Sequence, residues 1–219
     1  MEKEKQKGLV IVDMINGFVK KGVLADPFIG TITPEIVRLA KGYMENGDKV
    51  FAFRDAHDEN CAEFGAFPPH CVKGTPEVEL VDELKAVEGL EQYAQIIDKN
   101  STSGFVAPGF LEAIKGLDEI AIVGCCTDIC IMNLAIPLKN WYNQFNIDAN
   151  VVVPENAVET YNIPGVHERD EWNQMAMKFM KQAGVEIVKC IELGKRKQMG
   201  EINRAWAKRI EKEQKQQND

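Results

Sequence analysis

Residues 120–130, with the sequence IAIVGCCTDIC, join an uninterrupted apolar run to a polar turn that holds three cysteines. The run Ile120–Val123 has no polar side chain, which is typical of a strand buried on both faces of a parallel sheet. Thr127 is a good N-cap and Asp128 suits the first turn of a helix, so we predict a helix from Thr127 to about Tyr142. The stretch therefore predicts a strand followed directly by a helix, the repeating unit of an α/β fold.

The same alternation continues along the chain. Apolar runs predict further strands at residues 8–13, 49–53, 94–97, 150–153 and 185–188. Helical patterns lie between them, at residues 34–46, 76–86, 108–115 and 169–182. Alternating strands and helices with near-continuous apolar strands indicate a mainly parallel sheet covered by helices on both faces. No internal repeat or linker divides the pattern, so we expect a single domain over residues 1–194.

Composition and charge restrict the function. The chain has 219 residues, of which 45% are hydrophobic and 27% charged, enough for one domain with a sizeable core. Its formal net charge of -8 disfavours nucleic acid and anionic membranes as partners. No signal peptide is predicted at Met1–Lys7, and no apolar run approaches the roughly 18 residues that a membrane span requires. Six cysteines without an export signal are expected to be free thiols, and the protein is expected in the cytoplasm.

The last part of the chain differs in composition from the rest. From residue 195 onward it is rich in Lys, Arg, Glu and Gln, and Ile202, Trp206 and Ile210 recur at near-helical spacing. Residues 195–219 are therefore predicted to form a charged C-terminal helical extension or tail, solvated and fraying towards its end. A contact between subunits through Trp206 is the alternative.

Cys130 is the candidate nucleophile. It falls in the first turn of the helix predicted from Thr127, where peptide dipoles and free N–H groups favour a thiolate and can receive an oxyanion. Ligands in open α/β sheets bind beyond the carboxyl ends of the strands, and two other predicted strands end on charged residues, Asp13 and Lys99. A cysteine at such a junction is more often a packed core residue than a catalyst, which is the alternative. An acid, a cation and a thiol at one edge of the sheet predict a hydrolytic site, provided that the strand order brings them together.

Three motifs resemble those of the isochorismatase-like hydrolase superfamily, and the resemblance extends over about Gly8–Leu193. They are VDMINGF at residues 12–18, DKNSTSGF at residues 98–105 and GCCTDIC at residues 124–130. The resemblance implies a catalytic triad of Asp13, Lys99 and Cys130 on a six-stranded parallel sheet with a Rossmann-like strand order. It also implies a cis peptide bond between Cys125 and Cys126, and an oxyanion hole formed by the amides of Cys126 and Cys130.

Two further motifs resemble the nicotinamidase subgroup of that superfamily, DAH at residues 55–57 and FPPH at residues 67–70. They imply a metal site formed by Asp55, His57 and His70, with Glu63 as an additional ligand. One carboxylate and two imidazoles suit Zn²⁺, and also Fe²⁺ or Mn²⁺. The alternative is a pair of ordinary loop histidines. The chain has only three histidines, and the placing of two of them at motif positions in one loop favours the metal site.

The substrate pocket departs from the nicotinamidase pattern. Ile15 and Gly17 stand where many nicotinamidases have a Gln and an Asp, and residues 100–102 lack the aromatic side chain that some relatives place after the lysine. Phe18 and Phe67, with Phe105 as a weaker candidate, remain to pack against a substrate ring, although a Phe is individually more often a core residue. The third histidine, His167, matches no motif and is interpreted as structural or exposed.

The resemblance implies hydrolysis of nicotinamide to nicotinate and ammonia through a cysteine thioester, with a divalent metal, zinc by preference, as cofactor. One alternative is a related hydrolase that acts on another small amide, ureido or carbamoyl substrate. A second is a catalytically silent binding protein, which would require the loss of a triad residue, and none is lost. A third is an isochorismatase-type vinyl-ether hydrolase, which the intact metal motif disfavours. The expected partner is a small molecule, and self-association stays open because relatives are often oligomeric.

Overall fold

A seven-stranded parallel sheet forms the centre of the protein, for which a computed structural model describes residues 5–194. The strands are β1 (Lys7–Val12), β2 (Lys49–Asp55), β3 (Gln95–Lys99), β4 (Glu119–Cys125), β5 (Asn150–Pro154), β6 (Val158–Glu159) and β7 (Glu186–Val188). Six of them follow the order β3-β2-β1-β4-β5-β7, and β6 pairs with β4 beside that path. The expected α/β sheet with a Rossmann-like order is confirmed. The additional strand β6 has only two residues, too few to produce a periodic pattern in the sequence.

The strand order changes direction at β1. Strands β2 and β3 follow on one side of it, and β4 and β5 on the other, which places a crevice beyond the carboxyl ends of these strands. Val12 is in register with Phe53 of β2 and with Gly124 of β4. The residues that follow these three positions therefore begin side by side, although they are far apart in the sequence.

Helices cover both faces of the sheet. They are α1 (Asn16–Val19), α2 (Thr33–Glu45), α3 (Asp82–Lys85), α4 (Leu90–Tyr93), α5 (Phe110–Ala113), α6 (Met132–Gln144) and α7 (Arg169–Gln182). Alternate residues of β1 point to opposite faces, because Leu9 and Ile11 pack in the core cluster that includes α2, whereas Val10 and Val12 pack in the cluster that includes α6. The unbroken apolar run of β1 thus reflects burial on both faces.

Shorter helical turns connect these elements. Turns of 3-10 helix lie at Pro27–Ile32, Ala62–Gly65, Pro76–Val78, Gly104–Val106 and Glu155–Ala157, and a π-helical turn lies at Thr127–Ile131. The helix expected at residues 76–86 is interrupted, because the backbone there bonds to the segment after β1. Asn16 N donates to Glu79 O (2.9 Å), and Val81 N donates to Met14 O (3.0 Å). These long-range bonds outweigh the local helical pattern.

The described part of the chain ends at Gly194, whose carbonyl oxygen accepts a hydrogen bond from the side chain of Asn46 (3.1 Å). Residues 195–219, predicted to form a charged extension or tail, lie outside it. Within residues 5–194 no helix has the length and apolar character needed to cross a bilayer.

Candidate active site

Three charged side chains and one thiol meet at the carboxyl edge of the sheet. Asp13 follows β1, Asp55 ends β2, Lys99 ends β3, and Cys130 lies in the π-helical turn after β4. Asp55 and Lys99 are partners in the β2–β3 register. All four residues are buried. The structure therefore brings together the three residues predicted as a triad and adds Asp55 to them.

Two backbone features let β1 and β4 converge at this point. Asp13 has a φ of 53°, in the left-handed region that residues with a Cβ rarely adopt. Gly124 has a φ of 118° and lies so close to β1 that a Cβ there would overlap the Val12 carbonyl oxygen. The nucleophile turn consequently starts directly beside Asp13. The peptide bond between Cys125 and Cys126 is cis, as the resemblance implied.

Lys99 lies between the other charged groups. Its Nζ is 2.9 Å from Asp13 Oδ2 and 3.8 Å from Cys130 Sγ, and it also donates to Asp55 Oδ1 and to Ser101 O (3.2 Å). The second Asp13 oxygen, Oδ1, accepts a hydrogen bond from the Asp55 amide (2.9 Å). One ammonium thus balances two buried carboxylates and faces the thiol.

Burial and the neighbouring charges together determine the protonation of these groups. Burial raises the pKa of Asp13 to about 7, against the opposing effect of the Lys99 charge. Burial also raises the pKa of the Cys130 thiol well above its usual value, again opposed by Lys99. For Lys99, burial lowers the pKa, but Asp13, Cys130 and Asp55 outweigh it and keep the pKa well above its usual value. Cys130 is therefore held as a thiol, not as the thiolate that its place at a helix start favoured, and it lies beside a carboxylate that can accept its proton.

Asp55, His57 and His70 form a three-residue cluster beside the triad. The Nε2 atoms of His57 and His70 lie 3.5 Å and 3.7 Å from Asp55 Oδ2, and one ligand atom of each residue lies within 4.8 Å of the other two. For Asp55, burial raises the pKa, but Lys99 and the two imidazoles outweigh it and hold the pKa below its usual value, so the carboxylate stays ionised.

The residues of this cluster fit a divalent metal. His57 is fully buried, and neither of its ring nitrogens makes a hydrogen bond within the described residues, an arrangement that is unfavourable unless another group binds them. His70 Nδ1 lies 2.8 Å from the Pro68 carbonyl oxygen, which can only accept. In the neutral ring the proton is therefore on Nδ1, and Nε2 has a lone pair on the side of Asp55, as a metal-binding histidine requires.

Glu63 is not part of this three-residue cluster. Its two carboxylate oxygens accept hydrogen bonds from the amide (2.8 Å) and the hydroxyl (2.7 Å) of Thr102. Glu63 and Thr102 both line the cavity that His70 lines. In this structure the Glu63 carboxylate connects the 3-10 turn in which it lies to the loop after β3. The role of Glu63 as a fourth metal ligand stays a prediction.

A cavity of about 430 Å³ lies next to the thiol. Its apolar walls include Phe18, Phe67, Tyr161 and Ile163, and its polar surface includes Asp55, Glu63, His70, Thr102, Cys126 and Cys130. The two Phe residues predicted to contact a substrate ring both line it, with ring centroids 5.8 Å (Phe18) and 6.1 Å (Phe67) from that of His70. Phe105, the weaker candidate, packs against the core cluster that includes α6.

The two departures from the nicotinamidase pattern are packing positions. Ile15 is fully buried in the core cluster that includes α2. A Cβ at Gly17 would overlap the Cys71 sulfur, so Cys71 occupies the space that a side chain at position 17 would need. Both positions serve the packed interior rather than the cavity wall.

The structure also contains a buried polar network that the motifs did not predict. Asp128 Oδ1 accepts a hydrogen bond from Thr160 Oγ1 (2.6 Å), and Asp128 Oδ2 lies 2.9 Å from His167 Nε2. His167 is buried, so of its two interpretations the structural one holds. The position of Asp128 inside the nucleophile motif was the available signal, because Thr160 and His167 lie in a segment without a motif.

Residues 7–192 match the Isochorismatase domain family. Because the match covers most of the chain, the chain belongs to the isochorismatase family. Within the isochorismatase-like superfamily it groups with the nicotinamidase subgroup, to which the similar proteins point.

Two curated relatives illustrate this grouping. Nicotinamidase 1 of Arabidopsis thaliana is 28% identical over 216 residues, which cover 86% of this chain and 87% of that protein. The nicotinamidase/pyrazinamidase of Mycobacterium tuberculosis is 29% identical over 150 residues, covering 59% of this chain and 76% of that protein.

Solved structures show the same likeness. The pyrazinamidase/nicotinamidase of Streptococcus mutans superposes with a TM-score of 0.70 at 25% identity, covering 84% of this chain and 100% of that one. The pyrazinamidase of Pyrococcus horikoshii, solved in complex with zinc, superposes with a TM-score of 0.68 at 27% identity, covering 84% and 99%.

Proposed function

We propose that this protein hydrolyses nicotinamide to nicotinate and ammonia through a thioester on Cys130. The observation that carries the proposal is one ammonium, Lys99 Nζ, lying 3.8 Å from the Cys130 sulfur and 2.9 Å from an Asp13 oxygen. These groups adjoin a cavity with aromatic walls and a set of metal-binding side chains. The similarity to proteins named nicotinamidase supports the choice of substrate.

In the acylation step Asp13 accepts the Cys130 proton, and the sulfur attacks the carboxamide carbon. Asp13 Oδ2 is the accepting oxygen, because Oδ1 is held by the Asp55 amide. The pKa of Asp13, raised by burial to about 7, suits a group that both accepts and returns a proton near neutral pH. Asp13 then gives its proton to the leaving nitrogen as the C–N bond breaks, so that ammonia departs and the acyl group stays on the sulfur.

In the second step water attacks the thioester carbon and gives a proton to Asp13. The C–S bond breaks, the proton passes to the Cys130 sulfur, and the acid is released with the thiol restored. In both steps the oxyanion accepts hydrogen bonds from the amides of Cys126 and Cys130. The position of both residues on the cavity surface supports this assignment.

Asp55, His57 and His70 would hold the metal, for which we propose zinc, although the donor set also suits Fe²⁺ or Mn²⁺. When bound, the metal supplies a Lewis acid for the nitrogen of the substrate ring. Phe18 and Phe67 pack against the ring and fix its plane, and such orientation contributes several kcal/mol to catalysis. Each Glu63 oxygen accepts one hydrogen bond from Thr102 and keeps a further lone pair, with which Glu63 would act as an additional ligand.

A second candidate substrate is another small amide, ureido or carbamoyl compound. The loop after Lys99 carries no aromatic side chain, and Thr102 and Glu63 make that part of the cavity wall polar. A polar wall there suits a substrate with a hydrogen-bonding group in place of an aromatic edge. The triad chemistry would be unchanged.

The experiment that tests the proposal measures ammonia release from nicotinamide, pyrazinamide and small ureido compounds by purified protein of known metal content. Cys130→Ala should lose turnover while keeping its fold and metal. Cys190→Ala, which changes an exposed thiol, should keep wild-type turnover. Ammonia release from nicotinamide by Cys130→Ala would disprove the nucleophile assignment, and turnover of ureido compounds alone would favour the second candidate.

A further inference from the structure

The buried pair of Asp128 and His167 connects the nucleophile turn to one wall of the cavity. Asp128 lies in the π-helical turn, two residues before Cys130, and its Oδ2 is 2.9 Å from His167 Nε2. His167 Nδ1 lies 3.0 Å from the carbonyl oxygen of Tyr161. Tyr161 is the first residue of the wall segment, residues 161–163, all three of which line the cavity. A single imidazole therefore contacts both sides of the site.

The hydrogen-bonding groups of the pair are fully used. The Tyr161 carbonyl oxygen only accepts, so His167 Nδ1 carries a proton. The Thr160 hydroxyl donates to Asp128 Oδ1 (2.6 Å), which leaves Oδ2 to accept from Nε2. Both nitrogens of the imidazole are therefore held by oxygen acceptors, one on the nucleophile turn and one on the wall segment.

Ring stacking fixes the imidazole on its two faces. The Tyr161 ring lies parallel to it at a centroid distance of 4.0 Å, and the Trp172 ring lies on the other face at 4.6 Å, both with an interplanar angle of 12°. Parallel aromatic rings on both faces restrict rotation of the imidazole. The His167 side chain is thus held at both nitrogens and both faces.

The backbone of His167 also holds the end of the wall segment. Its N–H donates to Ile163 O (2.8 Å), and its carbonyl oxygen accepts from Ile163 N (2.9 Å). Tyr161 and Ile163 therefore keep a fixed place relative to His167, and through Asp128 relative to the nucleophile turn.

We propose that Asp128 and His167 are positioning residues for the substrate, which set the distance between the wall segment and the Cys130 turn. The proposal rests on the proposed function only in taking a carboxamide as the substrate. Within the described residues, neither side chain lines the cavity, so the pair acts through Tyr161 and Ile163 rather than by touching the substrate. A pair that served stability alone would leave KM unchanged.

Three substitutions test the pair through the split between KM and kcat. Asp128→Ala and His167→Phe each remove the hydrogen bond between the two side chains. We expect KM for nicotinamide to rise at least about tenfold and kcat to change less than about threefold. The reason is that a displaced wall segment weakens substrate binding more than it affects the chemical step. Asp128→Asn can still donate to a neutral Nε2 and accept from Thr160, so its KM should return to within about threefold of wild type.

Two controls separate positioning from a general loss of stability. Leu138→Ala removes a fully buried side chain of α6 and should lower stability without changing KM. Alkylation of Cys130 by iodoacetamide does not use the wall, so its rate should stay within about twofold of wild type in all variants. If His167→Phe leaves Asp128 unpaired and the protein does not fold, the double variant Asp128→Asn/His167→Phe, which buries no charge, replaces it with the same expected rise in KM.

Wild-type KM in both Asp128→Ala and His167→Phe would overturn the proposal. So would an Asp128→Asn variant as impaired as Asp128→Ala, or a changed alkylation rate. A failure of the proposed function is visible separately, because the wild-type protein would then not release ammonia from nicotinamide. The same KM comparison is in that case made with the amide that the wild type does hydrolyse.

Discussion

The backbone amide of Asp55 donates a hydrogen bond of 2.9 Å to Oδ1 of Asp13. The side chain of the same residue accepts from Lys99 through Oδ1 and faces the His57 and His70 imidazoles through Oδ2. Asp55 therefore belongs both to the metal-binding cluster and to the group of charges around the thiol. Removing its charge should disturb the two together, which distinguishes it from the histidines.

Asp55→Asn and His57→Asn should differ in activity although both weaken metal binding. We expect His57→Asn to lose bound metal and to lower kcat/KM by about 10- to 100-fold. Asp55→Asn should lower it further, because it also removes a counter-charge of Lys99. Metal content and kcat/KM of the two variants provide the measurement. Equal losses would mean that the triad does not depend on the Asp55 charge.

Lys99→Met should destabilise the protein strongly. It leaves the Asp13 and Asp55 carboxylates buried without their common cation, and breaking a buried ion pair on one side costs about 3–5 kcal/mol. Urea unfolding measures the change in free energy. Lys115→Met, which removes an exposed pair with Glu112, is the control and should cost less than about 1 kcal/mol. A similar effect of the two substitutions would contradict the central place of Lys99.

Zinc should raise the melting temperature of protein freed of metal by a chelator. A ligand that binds only the native state at 100 times its Kd stabilises it by about 2.7 kcal/mol. Thermal scans with and without zinc measure the shift, and His70→Ala should abolish most of it. Glu63→Gln tests the fourth ligand, because it should reduce the shift if the Glu63 carboxylate coordinates the metal and leave the shift unchanged if Glu63 only binds Thr102.

Gly124→Ala should cost more stability than Gly47→Ala. Both glycines have positive φ, 118° and 73°, so both substitutions introduce backbone strain of about 1 kcal/mol or more. A Cβ at Gly124 would in addition overlap the Val12 carbonyl oxygen, whereas one at Gly47 meets no atom within 4 Å. Comparison of the two free energies of unfolding isolates the close approach of β1 and β4. Equal values would show that the strands can separate without penalty.

The sequence predicted the six longer strands from their short apolar runs, which are clearest in β1, where Val10 and Ile11 are buried on opposite faces of the sheet. It also predicted the positions of Asp13, Lys99 and Cys130, since each ends a strand or starts a helix. It could not show the break at residues 79–81, which depends on hydrogen bonds to a segment more than 60 positions away. A local sequence pattern contains no information about such distant hydrogen-bond partners.

The same limit applies to parts of the site. The resemblance of the DAH motif to that of nicotinamidases implied Asp55 and His57 as ligands, but not the hydrogen bond from the Asp55 amide to Asp13. His167 belongs to no motif. The role proposed for it follows from the stacked rings of Tyr161 and Trp172 and from two oxygen acceptors, which only the folded chain brings together.

Asp55 limits how this site can be redesigned, because it belongs both to the metal-binding cluster and to the charges around the thiol. We expect residues 57–70 to accept changes for a different substrate ring more readily than Asp55 does, because the contacts of Lys99 with Asp13 and the Cys130 sulfur arise elsewhere in the chain. At Asp55, the last residue of β2, we expect a substitution to disturb both groups at once. Divergence in substrate choice should accordingly proceed through the loop, with an acidic residue retained at the strand end.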